Sequence, residues 1–188
     1  MDYHIQILKY SKKGHGVGLF KKGPDSPLKE AEVVGTVVGD VALVELLKRK
    51  RKKRHLGVLK EVLASSKSRV TPRCVHAGVC GGCSWQQKNY NAQISVKDQA
   101  IGVLFSSCYI HPTLPAPSIW RYRNKMEYTF SQNKGGEKFL GLIMSSSKGR
   151  VLTLKECHLT PQWFIDVLQA VYNWWSKSSL RAYYGPRD

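Results

Sequence analysis

Val33-Val-Gly-Thr-Val-Val-Gly-Asp40-Val-Ala-Leu-Val-Glu-Leu-Leu47 is the most hydrophobic stretch of this 188-residue chain, and its punctuation decides how the first third folds. Asp40 and Glu45 interrupt it, so it never offers the roughly 18 uninterrupted apolar residues a membrane helix needs. Gly35 and Gly39 cut it into valine-rich pieces of strand length. The same grammar extends outward from Ile5 to about Val70. Ile5, Ile7, Val17, Leu19, Val33, Val37, Val41, Leu43, Leu56, Val58 and Val62 fall in brief or alternating apolar runs. Gly14, Gly16, Gly23, Pro24 and Gly57 add further breaks. About five strands fit such a pattern, and many short strands in so short a segment predict a small closed barrel of the OB type. Closure removes sheet edges, and such barrels often present a face to nucleic acid.

Beyond the barrel the period changes. Tyr90, Ile94, Ile101, Leu104 and Phe105 recur every three to four residues, which predicts an amphipathic helix over 89–107, ended by Pro112, Pro115 and Pro117. Arg123 to Ser131 alternates, with Met126, Tyr128 and Phe130 on one face, and turn signals follow at Gly135 and Gly136. Phe139–Met144 and Arg150–Leu154 complete an antiparallel meander. Thr160 and Pro161 read as N-cap and first-turn proline of a last helix whose Phe164, Val167, Leu168, Val171 and Trp175 share a stripe. Its tryptophans are expected to pack rather than to stack on bases. The fold class expected is therefore mainly β with an α/β part: a five-stranded OB-like barrel over 1–68, then a partial α+β domain with an antiparallel sheet over 69–188.

Thirty Lys and Arg stand against 13 Asp and Glu, a formal charge of +17. A surface so cationic attracts polyanions across a Debye length of about 8 Å in physiological salt. The run Lys48, Arg49, Lys50, Arg51, Lys52, Lys53 and Arg54 supplies seven of these charges, and +10 remains without it, so the basic character is distributed. The N-terminus carries no basic head followed by an apolar signal core, which makes the cytoplasm the expected location and the thiols reduced.

Cysteines carry the sharpest chemical signal. Cys74-Val-His-Ala-Gly-Val-Cys80-Gly-Gly-Cys83 is a C-x5-C-x2-C loop, and Cys157 waits in Glu156-Cys157-His158-Leu159. Three clustered ligands plus one remote suit a cubane iron–sulfur cluster, since one glycine-rich loop can wrap three corners and a distant thiolate can close the fourth. Structural zinc more often uses two C-x2-4-C pairs, and the second pair is missing here; spacing favours the cluster and leaves zinc as the alternative. Cys108 reads as a small buried hydrophobe, and His76 and His158 as loop-filling surface residues.

These residues, with Gly14-His15-Gly16-Val17-Gly18, Trp85-Gln86-Gln87, Gln93, Lys97, Tyr122-Arg123-Asn124-Lys125-Met126-Glu127-Tyr128 and Leu140-Gly141-Leu142, resemble the TRAM-domain, iron–sulfur class of RNA (uracil-5-)-methyltransferases over nearly the whole chain. The resemblance implies a TRAM barrel that binds RNA, a central domain holding a [4Fe–4S] cluster through Cys74, Cys80, Cys83 and Cys157, and a structured rRNA or tRNA as substrate. It also implies a C-terminal domain that binds S-adenosylmethionine, with a cysteine attacking C6 of uracil and an acidic base removing the C5 proton. The sequence departs from the family there, for it contains no strand–glycine-loop–helix unit for that cofactor. No catalytic residue is assigned, the chain alone is expected to be inactive, and the catalytic domain is expected to be missing or separately encoded. Lys12, Lys13, His15, the 48–54 run, Arg121, Arg123 and Lys125 are the expected phosphate contacts. The cluster is expected to be structural, stapling the meander to the barrel side of the chain. Two other readings stay open: a free-standing RNA-binding module or subunit with cluster or zinc, and an iron–sulfur redox sensor.

Overall fold

The structure is a computed structural model that describes residues 2–47, 55–145 and 147–183. Strands β1 (Asp2–Tyr10), β2 (Gly16–Phe20), β3 (Lys29–Val33), β4 (Val41–Leu47) and β5 (His55–Ala64) close into a barrel in the order β1-β2-β3-β5-β4. Alternation drives it: Ile5 and Ile7 of β1 are buried while His4, Gln6 and Leu8 face out. The core joins Ile5, Ile7, Phe20, Ala31, Val33, Ala42 and Val44. Every neighbouring pair is antiparallel except β3 with β5, which run parallel through Ala31–His55, Glu32–Leu56 and Val33–Gly57. This is the mainly β, OB-like barrel that the glycine-punctuated runs predict, with a small α+β part after it.

Strand direction sorts the connections to two ends. The 11–15 turn, the 34–40 segment and the exit of β5 share one end, because Tyr10 pairs with Gly16 and Val41 with Ala64. The 21–28 turn, Leu47 and His55 share the other, because Phe20 pairs with Lys29 and Ala31 with His55. The basic run 48–54 lies outside the described residues.

At the first end the Asp40 carboxylate, fully buried, accepts from the Val37 amide (2.6 Å), the Ser66 amide (2.9 Å) and Arg69 Nη2 (2.7 Å). Arg69 also donates to the Gly35 carbonyl at 2.8 Å. Burial works to raise the Asp40 pKa, but the Arg69 guanidinium and the two amides outweigh it and hold the carboxyl below its ordinary value.

The chain forms two compact units, Met1–Pro72 with Ser84–Pro115 and Arg73–Cys83 with Ala116–Asp188. Helix α1 (Tyr90–Leu104) belongs with the barrel. Asn89 caps it by accepting from the Ala92 amide at 2.8 Å, as Asn does at a helix start. The expected amphipathic burial is not found: no α1 residue is buried, and Leu104 is 76% exposed.

In the second unit β6 (Thr129–Gln132), β7 (Lys138–Ile143) and β8 (Val151–Thr153) form an antiparallel sheet in that order. Helix α2 (Gln162–Lys177) covers it, burying Ile165, Leu168 and Trp175 with Leu140 and Leu154. Three expectations change here. The alternation at 123–128 forms no strand, because Arg121 and Arg123 donate their amides to the His158 and Leu159 carbonyls instead. Pro161, not Thr160, stands at the N-cap, and it has no side chain able to accept. The packed stripe is rotated: Ile165 is buried and Val167 is 54% exposed. Cys108, expected inside, is exposed.

No described helix is long and apolar enough to cross a membrane. Asp40→Ala leaves Arg69 and two amides without their acceptor, so we expect a loss of about 3–5 kcal/mol in urea unfolding of the chain; a loss below about 1 kcal/mol contradicts the role assigned to this carboxylate.

Candidate metal centre

The loop that carries the first three cysteines is built before any metal is considered. Its turns are tight: the Ala77 amide donates to the Cys74 carbonyl and the Cys80 amide to the His76 carbonyl. The loop then lies against β7. The Gly81 amide donates to the Ile143 carbonyl (3.0 Å) and the Ser145 amide to the Val79 carbonyl (2.8 Å), with an antiparallel bridge between Cys80 and Met144. It takes the edge of β7 that β6, paired only to Gly141, leaves open. A Cβ at Gly81 would stand 2.6 Å from the Ile143 carbonyl oxygen, so a glycine is required for so close an approach.

Two hydrogen bonds tie this loop to the segment carrying Cys157. His76, buried and not a surface residue as its sequence context suggests, accepts the Lys155 amide through Nε2 at 2.9 Å. Burial lowers its pKa, which keeps the ring neutral and able to accept. On the other side of Lys155, Glu156 accepts the Val75 amide at 2.7 Å, and that bond holds its carboxyl below the ordinary value. His158 is not a free surface residue either, since Nε2 lies 3.3 Å from Glu156 and the ring meets the edge of Trp120.

All four predicted ligands thus fall in the second unit. A group bound there closes this unit on itself and does not staple it to the barrel, which corrects the expectation from chain order. The thiols of Cys74 and Cys83, of Cys80 and Cys83, and of Cys80 and Cys157 are close enough to feel one another's charge. Among the described residues no three His, Cys, Asp or Glu side chains converge as a ready-made metal cage.

The donor set suits a soft metal centre all the same. Cys80 and Cys157 are half-buried against the apolar core, and the Gly82 amide donates to Cys80 Sγ at 3.4 Å. Burial first pushes the Cys74 and Cys80 pKa values up, joined at Cys74 by the Glu156 charge and then the Cys83 thiol, and at Cys80 by the Cys83 and Cys157 thiols. With their pKa values raised these groups are neutral thiols, and a metal bound there would displace their protons and supply the positive charge that thiolates need.

Of the expected phosphate contacts, Lys12, Lys13 and His15 belong to the first unit and Arg121, Arg123 and Lys125 to the second. Lys12 and Lys13 project from the 11–15 turn, whereas His15 Nδ1 is turned to Glu32 at 2.9 Å. Lys125 pairs with Glu127 at 3.0 Å. Arg123 reaches Met126 Sδ at 3.7 Å, and Arg121 is exposed in the left-handed region with φ 56°.

Sequence reasoning missed Lys88. It is 2% exposed, its ammonium has no hydrogen-bond partner, and it lies 3.5 Å from the Tyr10 ring centre and 3.8 Å from that of Trp85. Burial pulls its pKa down to about 8 while the two ring faces favour the charge. Trp85-Gln-Gln-Lys88 gave no signal for this, because the partner Tyr10 is distant in sequence.

No family model matches the chain. It is 40% identical over 163 residues to a protein of Protochlamydia amoebophila named an uncharacterized RNA methyltransferase, a match covering 84% of this chain and 36% of the relative. A protein of Caldanaerobacter subterraneus with the same designation is 30% identical over 184 residues, 95% of this chain and 39% of the relative. Another, from Chlamydia muridarum, is 40% identical over 118 residues, 60% of this chain and 30% of the relative. The chain spans about a third of the length of these relatives.

Removing the acceptor in His76→Ala leaves the Lys155 amide without its partner in a part-buried site, and we expect about 1–2 kcal/mol of destabilisation by urea unfolding of the metal-free chain. Lys88 supplies a pH signature. A lysine whose folded pKa is depressed from 10.5 to about 8 binds fewer protons folded than unfolded across that interval, so stability rises with pH. The stability difference between wild type and Lys88→Met should shift in favour of the wild type from about pH 8 to pH 10, below the raised pKa of Tyr10, a comparison in which the opposite slope of the raised Cys74 and Cys80 thiols cancels.

Proposed function

We propose that this chain is the RNA-holding and [4Fe–4S]-binding portion of an S-adenosylmethionine-dependent methyltransferase that modifies C5 of a uridine in structured rRNA or tRNA. The carrying observation is the placement of Cys74, Cys80, Cys83 and Cys157 in one unit, with the loop and the remote cysteine joined through His76 and Glu156. Relatives named RNA methyltransferases support the substrate class, and a formal charge of +17 supports a polyanion as partner.

Cys74, Cys80, Cys83 and Cys157 would hold the cluster. When bound, it supplies cross-linking of the unit, since methyl transfer to a ring carbon moves no single electron. The chain's own residues do the holding. Reaching C5 requires a base freed from its stack, so the nucleotides around it must be gripped by phosphate contacts while the base is extruded. Among the described residues there is no strand–helix–strand unit with a parallel sheet to seat the methyl donor, and we assign that step to sequence that the longer relatives carry beyond this match.

The test is metal and sulfide analysis of the chain purified without oxygen. We expect a brown protein with about four irons and matching acid-labile sulfide. Cys157→Ser should lose iron and unfold at lower urea than the wild type. Stoichiometric zinc without iron overturns the cluster. The chain should bind tRNA or rRNA fragments with a steep salt dependence and transfer no methyl group from S-adenosylmethionine by itself; absence of salt-dependent RNA binding overturns the RNA reading.

A further inference from the structure

The two ends of the barrel differ in what covers them. At the end with the 11–15 turn, the Trp85 indole donates to the Gly14 carbonyl at 2.7 Å and its ring lies 5.9 Å from that of Tyr10. Ser11 and His15 both reach Glu32, at 2.7 and 2.9 Å, and Asp40 and Arg69 close the floor. The chain's own side chains fill that end, and Lys12 and Lys13 only project from it.

Among the described residues, the opposite end gathers cations. Lys21 and Lys22 are exposed at the exit of β2, Lys29 is half-buried at the start of β3, and β5 begins beside them at His55. The half-buried His55 ring stands edge-on to Phe20, with centroids 5.1 Å apart at 89°. Burial, then the charges of Lys22 and Lys29, lower the His55 pKa, so these cations surround a neutral ring. Among the described residues no carboxylate pairs with Lys21, Lys22 or Lys29. Glu30 is paired with Lys9 and Glu45 with Lys60, which leaves Asp25 and Asp2 as the acids of this end.

Cationic point charges around a planar neutral ring match a strand that alternates phosphates with flat bases. An anionic bilayer would ask instead for a broad apolar face among the cations, whereas Leu28, 58% exposed, is the exposed large apolar side chain of the 21–28 turn and Leu47, 43% exposed, that of the end of β4. We propose that the barrel end formed by Lys21, Lys22, Lys29 and His55 is a seat for single-stranded RNA, the lysines contacting phosphates and the imidazole lying against a base. The assignment rests on the RNA reading above and places the barrel's principal contact away from the glycine turn that carries Lys12 and Lys13.

The test is anisotropy of a fluorescein-labelled oligouridine titrated with the full chain at several potassium chloride concentrations. Lys21→Gln/Lys22→Gln/Lys29→Gln should raise Kd about tenfold or more at low salt and flatten the log–log salt slope by about 2, since each phosphate contact to a single strand contributes about 0.7. Lys12→Gln/Lys13→Gln should change Kd less than about twofold. His55→Ala should weaken binding about fivefold with the salt slope unchanged, because stacking is not ionic. Urea midpoints equal to that of the wild type establish that each variant is folded, and the single Lys22→Gln variant replaces the triple if it is not. Equal losses from the two lysine sets, or an unaffected triple variant, overturn the seat while leaving RNA binding intact. A wild-type chain that binds neither oligouridine nor tRNA overturns both readings, and lysine-dependent binding to phosphatidylserine vesicles without RNA binding overturns the seat in favour of a membrane.

Discussion

The parallel pairing of β3 with β5, three residues long from Ala31–His55 to Val33–Gly57, turns a meander into a barrel and fixes what stands at each of its ends. Without it β3 and β5 would be open edges, with unpaired amides and carbonyls available to another chain. The pairing is close at Gly57, where a Cβ would sit 3.0 Å from Val33 Cγ2 on β3 and 2.3 Å from Val44 Cγ1 on β4. It also sets His55 beside the β2–β3 turn, so that residues more than 20 apart in sequence share one cationic surface.

The other end is fixed by buried charge. Asp40 is accommodated without solvent because a guanidinium and two amides converge on it, a geometry in which attraction and hydrogen bonding offset desolvation. Lys88 solves the same problem differently, with two π faces and no hydrogen bond. Both lie at the end that the chain fills with its own side chains, whereas among the described residues Lys21 and Lys22 are exposed at the opposite end.

The cysteine centre is organised by groups that are not sulfur. His76 and Glu156 each accept an amide from the segment opposite, and the loop borrows the free edge of β7. These bonds hold the segment of the remote cysteine against the loop that carries the other three. The binding energy of the proposed centre would become folding energy of this unit.

The sequence by itself determined the short strands, the barrel class and the meander's existence, because period and glycine punctuation are local signals, and C-x5-C-x2-C spacing with one remote cysteine singled out the candidate thiols. Helix α1 was legible from its three-to-four-residue apolar period, whereas its lack of buried residues was not. Tertiary structure alone decided the rest. Whether His76 faces water or Lys155, whether residues 123–128 pair as a strand or bond to His158 and Leu159, and whether Cys108 is inside depend on partners distant in the chain. The same holds for the two ends of the barrel: a count of lysines reports charge, but strand direction and closure decide which charges meet, since only folding converts positions along a chain into distances in space.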